Sequence, residues 1–435
     1  MGERASIRVD GQRYVADRLI CSLGYIWCQW HNDWPVPSYV SYGSKKKFLK
    51  SFLFLMVLFL IIGGCSFSKH LNKERLDPYQ KNLNVVYKII HPSFESSQLL
   101  LQTQASTYRL VLKAYSDASR KEIIYDETIA INEGNNLLKS FELKIKRTTY
   151  VLELILTNLG TNEVFRDIQY LDKTSDNSQT ILPYFENENP LVQNYISKGT
   201  SLKFIHTDPK ISTFYVRHYK DSFKPAHAPH IRSSRAFLPM QGNSTIKKIN
   251  KNELYKLSEA GLYFIQVDTL SKSGRFISCF NNDYPKLTDI NELIKSTRYI
   301  TKNVEYIALK KSNEKKIALD DFWLARGETK QKSRELIKTY YNRVQSSNLF
   351  FTTFKEGWKT DKGLIYIIFG QPDRVQKSYN QEYWYYSSTS RRDATEFFFI
   401  KKNGQYIMNR SPFMEYYWKA QIYEWRKGLV KNLSY

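Results

Sequence analysis

The stretch that decides how the C-terminal part of the chain folds reads FKEGWKTDKG (354–363) and continues as LIYIIFGQPD (364–373). Gly357 predicts a turn or the end of a helix. Thr360 and Asp361 suit a local turn in which side chains bond to the backbone. The apolar run 363–369 then predicts a strand, which a second turn at 370–373 closes. The stretch therefore predicts a corner that joins a helix to a sheet.

Helices and strands alternate on both sides of this corner. Before it, apolar residues at helical spacing predict an amphipathic helix over 329–346. After it, 383–386 and 396–401 predict strands, and 414–427 predicts a final helix. The C-terminal part is therefore expected to be an α+β domain.

Gly-Trp-x-Thr-Asp, followed by an apolar run and Phe-Gly-x-Pro-Asp, resembles the GWxTD domain of Bacteroidota lipoproteins, a family of largely unknown function. The resemblance covers roughly residues 315–435. Other residues that carry it are Asp321-Phe322-Trp323, Arg326, Tyr341-Asn342-Arg343-Val344, Tyr383-Trp384-Tyr385-Tyr386 and the strand 397–399. Lys362 departs from the arginine that family members often carry, so a bidentate contact would be lost. The resemblance implies a lipoprotein in a cell envelope, but no mechanism.

Three interpretations of the motif remain open. The favoured one is a structural corner in which Trp358 fills the core, with an indole N–H that needs one partner. The second is a recognition pocket formed by Asp361, Arg343 and Trp358. The third makes Asp361 a catalytic acid or base, although no second carboxylate or nucleophile stands at a telling distance. The candidate recognition residues are Gly357, Trp358, Thr360, Asp361, Arg343 and Trp323.

The region before this domain is rich in short strands. Alternating apolar residues separated by turn signals predict an immunoglobulin-like β-sandwich over 83–172. The polar segment 173–194 is a candidate linker, and a second β-rich module is expected over 195–300. The expected fold is multi-domain and mainly β, with immunoglobulin-like sandwich modules followed by an α+β GWxTD domain at 315–435.

The N-terminal part of the sequence predicts a targeting signal. A basic patch at 44–50 precedes a 12-residue apolar run at 51–62, and Gly63 and Gly64 stand before Cys65. This order is typical of a secretory signal, and the run is too short for an ordinary membrane span. Ile62-Gly63-Gly64-Cys65 resembles a bacterial lipobox, which makes 44–64 the signal peptide and Cys65 the lipidated residue. The alternative is a buried helix that ends at the two glycines.

The segments on either side of this signal have separate interpretations. Residues 1–43 do not fit a signal and are expected to be a mis-assigned or extra leader. Residues 65–82 begin with a polar run and predict a tether. Surface lipoproteins of Bacteroidota typically carry an acidic run after the cysteine, and this chain has none there. We therefore expect a lipid anchor in the outer membrane, at its periplasmic face.

Composition narrows the function classes. Lys plus Arg is 65 and Asp plus Glu is 42, which gives a net charge of +23. Such a charge favours anionic partners, and the envelope address favours a membrane or an acidic glycan over nucleic acid. Cys279, among Phe276, Ile277 and Phe280, is expected to be a buried inert thiol. His227 and His230, with His206 and His218 nearby, suit a solvated loop better than a metal site.

No hydrolase, nucleotide-binding or metalloprotease motif is present in the sequence. The sequence thus predicts no enzyme, no cofactor and no metal. We expect a lipid-anchored outer-membrane lipoprotein that acts as a non-enzymatic interaction or assembly component with envelope protein partners. The alternative is a module that binds glycan or lipopolysaccharide, and an envelope hydrolase centred on Asp361 is less favoured.

Overall fold

The computed structural model describes residues 76–79, 83, 85–92, 95–103, 107–132, 137–174, 180–220, 223–232, 244–270, 273–386, 395–402 and 404–430. The predicted leader (1–43), the predicted signal peptide (44–64) and Cys65 lie outside these residues. All described residues belong to one compact unit, His70–Tyr435. Among them, no helix is both long enough and apolar enough to cross a bilayer.

Seven strands form a first β-sandwich. They are β1 (Val86–Ile90), β2 (Ser97–Thr103), β3 (Thr107–Tyr115), β4 (Ile123–Asn132), β5 (Leu137–Leu143), β6 (Thr149–Asn158) and β7 (Val164–Asp172). The two sheets have the orders β1-β2-β5 and β4-β3-β6-β7, and all pairs are antiparallel. Alternate side chains such as Leu110 and Leu112 fill one core shared by both sheets. This is the immunoglobulin-like arrangement that the sequence predicts.

A second β-sandwich follows. Its strands are β8 (Ile181–Tyr184), β9 (Tyr195–Ser197), β10 (Ser201–His206), β11 (Thr213–Tyr219), β12 (Ser244–Asn250), β13 (Tyr255–Lys256), β14 (Gly261–Gln266) and β15 (Arg275–Phe280). They form the sheets β13-β10-β8 and β12-β11-β14-β15-β9. Cys279 lies in the shared core as a free buried thiol, and burial raises its pKa to about 11. This is the inert cysteine expected from the sequence.

The boundaries of this module differ from the prediction of 195–300. The strands span 181–280, so the module begins and ends earlier than expected. The predicted linker 173–194 contains β8, and Leu191 and Val192 within it are buried. The segment is mostly polar, which favoured the prediction of a linker, but its few apolar residues are buried in the fold.

The described residues of the C-terminal domain form six α-helices and a four-stranded sheet. The helices are α1 (Ile290–Ser296), α2 (Asn303–Lys311), α3 (Lys315–Gly327), α4 (Lys330–Phe351), α5 (Asp361–Phe369) and α6 (Met414–Arg426). The antiparallel sheet contains β16 (Arg374–Lys377), β17 (Gln381–Tyr386), β18 (Thr395–Lys402) and β19 (Gln405–Met408). Ile294 and Tyr299 belong to the same core as Trp358 and Trp384. The domain therefore begins before residue 315, where the sequence analysis placed its start.

Helix α5 replaces the strand expected at 363–369. Residues 362–368 are all buried, and an apolar run that is buried on every side looks the same in a helix as in a central strand. The decisive local signal is Thr360, whose side chain accepts a hydrogen bond from the amide of Gly363 and so caps the helix.

The segment Leu76–Tyr79, which we call the strap, passes between the first sandwich and the C-terminal domain. Leu76 forms a bridge with Val375 of β16, and Asp77 forms one with Arg166 of β7. Leu76 is 1% exposed and Tyr79 is 8% exposed. The prediction of a tether over 65–82 is therefore wrong for the strap, because its apolar side chains complete the core between two modules.

Candidate functional site

The GWxTD segment packs as a tight corner between α4 and α5. A Cβ atom on Gly357 would lie 1.9 Å from the carbonyl oxygen of Ser347 in α4. A Cβ atom on Gly363 would lie 1.9 Å from the carbonyl oxygen of Gly357. Thr360 closes the corner, since its hydroxyl donates to Gly357 O at 2.7 Å and accepts from Gly363 N at 3.0 Å. Glycine is required at both positions because the backbones are in direct contact.

Trp358 fills the core beneath the corner. Its side chain is 1% exposed, and its ring meets Tyr299 edge-on with centroids 6.0 Å apart. Its amide donates to Asn348 Oδ1 at 3.0 Å, and its carbonyl accepts from the Tyr299 hydroxyl at 2.9 Å. The indole Nε1 is buried without a hydrogen-bond partner in the described part of the chain. Trp358 is therefore a core residue held through its backbone.

Asp361 is bound by an arginine that lies just after β19. Arg410 donates to its two carboxylate oxygens at 2.6 and 3.1 Å, and the amide of Met408 donates at 2.8 Å. The side chains of Asp361 and Arg410 are 11% and 8% exposed. Arg410 also donates to the carbonyl of His227 at 3.2 Å. Asp361 therefore uses both oxygens to hold β19 and a loop of the second sandwich in place.

Arg343 and Trp323 lie away from Asp361. Arg343 donates to the carbonyls of Ile367 and Ile368, at the C-terminal end of α5, whereas Asp361 is in its first turn. Burial lowers the pKa of Arg343 to about 10. Trp323 packs in the core against Tyr340 and Tyr341. Asp361, Arg343 and Trp358 therefore do not form a recognition pocket, because Arg343 binds main-chain carbonyls at the opposite end of α5.

Lys362, the residue after the motif, lies in a buried cluster that the sequence analysis did not find. Its Nζ is 2.6 Å from Glu382 Oε2, 3.1 Å from the Tyr79 hydroxyl and 3.3 Å from the centroid of the Tyr406 ring. Burial lowers the pKa of Lys362 to about 8, although Glu382 opposes this shift. Burial would raise the pKa of Glu382, but Lys362 and then Lys377 outweigh it and hold that pKa at about 2. The 2.6 Å contact is therefore an ion pair in which each group favours the charged form of the other.

A second buried ion pair lies beside this cluster. Lys377 Nζ of β16 is 2.6 Å from Asp167 Oδ1 of β7. Tyr87 donates to the other oxygen of Asp167, and Gln169 donates to it at 2.9 Å. The two side chains of the ion pair are 8% and 5% exposed. Lys377 thus connects the C-terminal domain to the first sandwich. Tyr79 connects the strap to the C-terminal domain, because its hydroxyl donates to Glu382.

These contacts form the walls of a cleft of about 1270 Å³, where the strap, both sandwiches and the C-terminal domain meet. The volume exceeds the roughly 300–1,000 Å³ of ordinary small-molecule sites. Loop 223–232 forms one wall: the amide of Ala226 donates to the carbonyl of Lys359 at 2.9 Å, and Phe223 packs edge-on against Phe354. The corner thus positions a wall of the cleft. The charged groups that line the cleft are Lys224, Lys355, Lys362, Lys377, Lys401, Lys402, Arg410, Asp167, Asp361 and Glu382.

His227 and His230 lie in loop 223–232, and His218 lies in β11. Within the described ranges, no three His, Cys, Asp or Glu side chains are placed to hold a metal ion. His227 contributes its carbonyl to Arg410, and His218 stacks on Tyr263 in the second sandwich. Their roles in the described structure are contacts within the fold.

Residues 261–427 match the family model of the GWxTD domain. The chain therefore carries this domain, and the match begins at β14, well before the predicted start at residue 315. The match includes all six helices and the four-stranded sheet. None of the curated proteins matches the sequence.

Two solved structures show a weak likeness to the chain. One is a calcium-binding mutant of Bacteroides uniformis beta-glucuronidase 2, at 16% identity over 27% of this chain and 16% of that chain, with a TM-score of 0.15. The other is trypsin-activated alpha-2-macroglobulin from Escherichia coli, at 12% identity over 48% of this chain and 17% of that chain, with a TM-score of 0.16. The chain thus spans about a sixth of the length of each. Scores of this size carry no argument about fold or function.

Proposed function

We propose that this chain is a lipid-anchored outer-membrane lipoprotein that acts as a non-enzymatic interaction or assembly component of the cell envelope. The observation that carries the proposal is the cleft at the junction of the three modules. Its walls are fixed by the buried Lys377–Asp167 ion pair between modules and by the hydrogen bond from Arg410 to the carbonyl of His227. The cleft is therefore a preformed surface that need not be ordered when a partner binds. An interaction component requires such a surface.

The groups with the most catalytic potential in the cleft are already committed to internal contacts. Asp361 accepts two hydrogen bonds from Arg410 and one from the amide of Met408. Lys362 and Glu382 neutralise each other. This supports binding over catalysis, and it weakens a hydrolase centred on Asp361, since a general acid or base must reach the substrate.

The anchor part of the proposal rests on the lipobox-like sequence that ends at Cys65, together with the short distance along the chain to the strap. Only residues 66–75 separate Cys65 from Leu76, and a fully extended chain of that length spans roughly 35 Å. Because the strap is packed into a wall of the cleft, a lipid on Cys65 would keep the cleft close to the bilayer. Partners would then be proteins of the same membrane or of its periplasmic face.

A photo-crosslinking amino acid placed at Lys402, at the edge of the cleft, tests the interaction in living cells. Lys248, an exposed lysine of β12 outside the cleft, is the matched control position. We expect the same identified envelope protein to crosslink from position 402 in independent membrane preparations, and not from position 248. Equal patterns from both positions would reject the cleft as the interaction surface.

The anchor has its own test. Replacing Cys65→Ala removes the thiol that would accept the lipid, so the chain is expected to leave the outer-membrane fraction and to lose labelling by a radioactive fatty acid. Unchanged labelling of the C65A variant would show that Cys65 is not the lipidation site.

An acidic glycan or lipopolysaccharide is the second candidate ligand. The observation that favours it is the combination of lysines with aromatic rings in the cleft, among them Phe223, Phe354 and Tyr406. Retention of the purified chain on an acidic glycan matrix at low salt, lost in a cleft-lysine variant, would support it. A chain that passes through unretained would remove this candidate.

A further inference from the structure

The residues that line the cleft carry more positive than negative charge. Each of its three carboxylates has a basic partner: Asp167 pairs with Lys377, and the other two pairs are Asp361–Arg410 and Glu382–Lys362. Four cleft lysines remain without a carboxylate partner in the described part of the chain: Lys224, Lys355, Lys401 and Lys402. The internal pairs therefore leave an excess of positive charge that faces the cleft.

Lys355 is the most informative of these four lysines, because it is the least hydrated. It is half-buried beside Phe354, and no acceptor for its ammonium lies among the described residues. Burial lowers its pKa, with Asp361 and Glu356 opposing the shift from a distance. Desolvation of an unpaired ammonium is costly, and an anion bound in the cleft would offset this cost.

Lys355 lies next to an open strand edge. Gln405 of β19 donates to the hydroxyl of Thr353 at 2.8 Å, which ties the Lys355 loop to that strand. β19 is the last strand of its sheet. The amide of Met408 points away from β18, towards Asp361, so the main-chain groups of Tyr406 point the same way. They have no partner in the described structure.

A second edge strand also lines the cleft. β1 is an edge strand of the first sandwich and pairs only with β2 among the described strands. Val86 and Tyr87 of β1 line the cleft. An exposed edge offers unpaired N–H and C=O groups to another strand, and proteins commonly bind extended peptides by adding them to such an edge.

We propose that the cleft binds an extended, acidic polypeptide segment, which adds to the edge of β19 or β1 and places its carboxylates at Lys355, Lys401 and Lys402. This inference rests on the proposed interaction function and names the chemistry of the partner. Strand edges recognise a polypeptide main chain, whereas the repeating rings of a glycan lack the alternating N–H and C=O groups that a strand edge pairs with. The edges therefore favour a peptide over a glycan, and the lysines favour an acidic one.

Fluorescence anisotropy on the purified full chain tests this with two labelled peptides of about eight residues, the length of an ordinary strand. One peptide alternates Glu with Val, and the other alternates Gln with Val. We expect the Glu peptide to bind at least about tenfold more tightly than the Gln peptide, with affinity that falls as salt is raised because exposed charges are screened. Equal affinity for both peptides would overturn the proposal.

Variants locate the binding. Lys355→Gln is expected to weaken binding of the Glu peptide about tenfold, the loss typical of one charge-assisted hydrogen bond. The exposed pair Lys401→Gln and Lys402→Gln should weaken it about threefold to tenfold without affecting folding. The matched control is Lys247→Gln with Lys248→Gln, an exposed lysine pair on β12 that removes the same charge. A control loss equal to the cleft loss would overturn the proposal, since net charge alone would then explain binding.

Heparin in the same assay separates the two ligand classes. A peptide site is supported if unlabelled Glu peptide displaces the labelled Glu peptide at a lower concentration than heparin does. Heparin that binds through Lys355 when the Glu peptide does not would overturn the inference in favour of a glycan. If crosslinking from position 402 succeeds while the Glu peptide fails to bind, the interaction function stands and only the acidic-peptide inference is wrong.

Discussion

Breaking the ion pair between Asp361 and Arg410 should destabilise the C-terminal domain even though both residues lie outside its hydrophobic core. The pair is bidentate, its side chains are 11% and 8% exposed, and Asp361 also accepts from the Met408 amide. Removing one partner of a buried pair leaves a buried charge without compensation, at a cost of about 3–5 kcal/mol. Asp361→Asn keeps some acceptor capacity, so about 3 kcal/mol is expected, or roughly a 6–12 °C fall in Tm for a domain of this size.

Thermal unfolding followed by tryptophan fluorescence measures this loss, because the five described tryptophans all lie in the C-terminal domain. Hydrogen exchange should become faster in 405–410 and 223–232, which the pair holds, and stay unchanged in the strands of the first sandwich. The double variant of Asp361→Asn with Arg410→Met should lose clearly less than the sum of the two single losses. Asp126→Asn is the control: Asp126 is exposed and its partner Lys113 is half-buried, so the substitution should cost at most about 0.5 kcal/mol. A fall of less than about 2 °C in D361N, or additive single losses, would refute the structural role assigned to Asp361.

Three further predictions concern the corner, the acid limit of stability and the buried lysine. Gly357→Ala should lower Tm by several degrees, because its Cβ would lie 1.9 Å from a main-chain oxygen of α4. Gly160→Ala is the control and should leave Tm nearly unchanged, because Gly160 lies in an exposed turn where the nearest atom to an added Cβ is 3.4 Å away. Equal shifts in Tm for the two variants would show that close packing at Gly357 does not matter. A hydrogen bond from an arginine of α6 holds the pKa of Glu305 at about 2 in the folded chain, below its ordinary 4.5, so its stabilising contribution is present above pH 4.5 and is lost as the pH falls towards 2. In Glu305→Gln the fall in Tm across this interval should be shallower than in the unmodified chain, and superimposable pH curves would reject that contribution. Lys362→Met should destabilise the domain by about 3–5 kcal/mol, because it leaves Glu382 buried and unpaired. Adding Glu382→Gln should restore part of the free energy of unfolding, as measured in urea. A double variant that is no more stable than Lys362→Met alone would show that the two residues are not coupled.

Much of the fold follows from local patterns in the sequence. Period-2 alternation in β3 and β6 identifies the first sandwich, and helical spacing identifies α4. α5 fails the same test because its side chains are buried on all sides, so that no polar face reveals the period. The available signal was Thr360 followed by Asp361, since threonine is a favoured N-cap residue and an acidic residue favours the first turn of a helix.

The candidate site was harder to predict from the sequence than the fold. The corner was recognised from the motif, but the groups that make the cleft are far apart in sequence: Lys377 and Asp167 are separated by 210 residues, and Tyr79 and Lys362 by 283. No local pattern links such residues. The one indication in the sequence was the excess of lysine and arginine over acidic residues, which pointed to an anionic partner without showing where the charge collects.

The motif is structural in its contacts, and this limits what its substitution can show about function. Asp361 holds Arg410, and Arg410 holds the carbonyl of His227 in the loop that lines the cleft. A change at Asp361 therefore perturbs folding and the cleft wall together, and a lost interaction would not distinguish the two. Lys401 and Lys402 line the same cleft, but their side chains are exposed and form no salt bridge or side-chain hydrogen bond within the described fold. Substitutions there separate binding from folding, so loss of a partner in a fully stable Lys401/Lys402 variant is the result that assigns a function to the cleft.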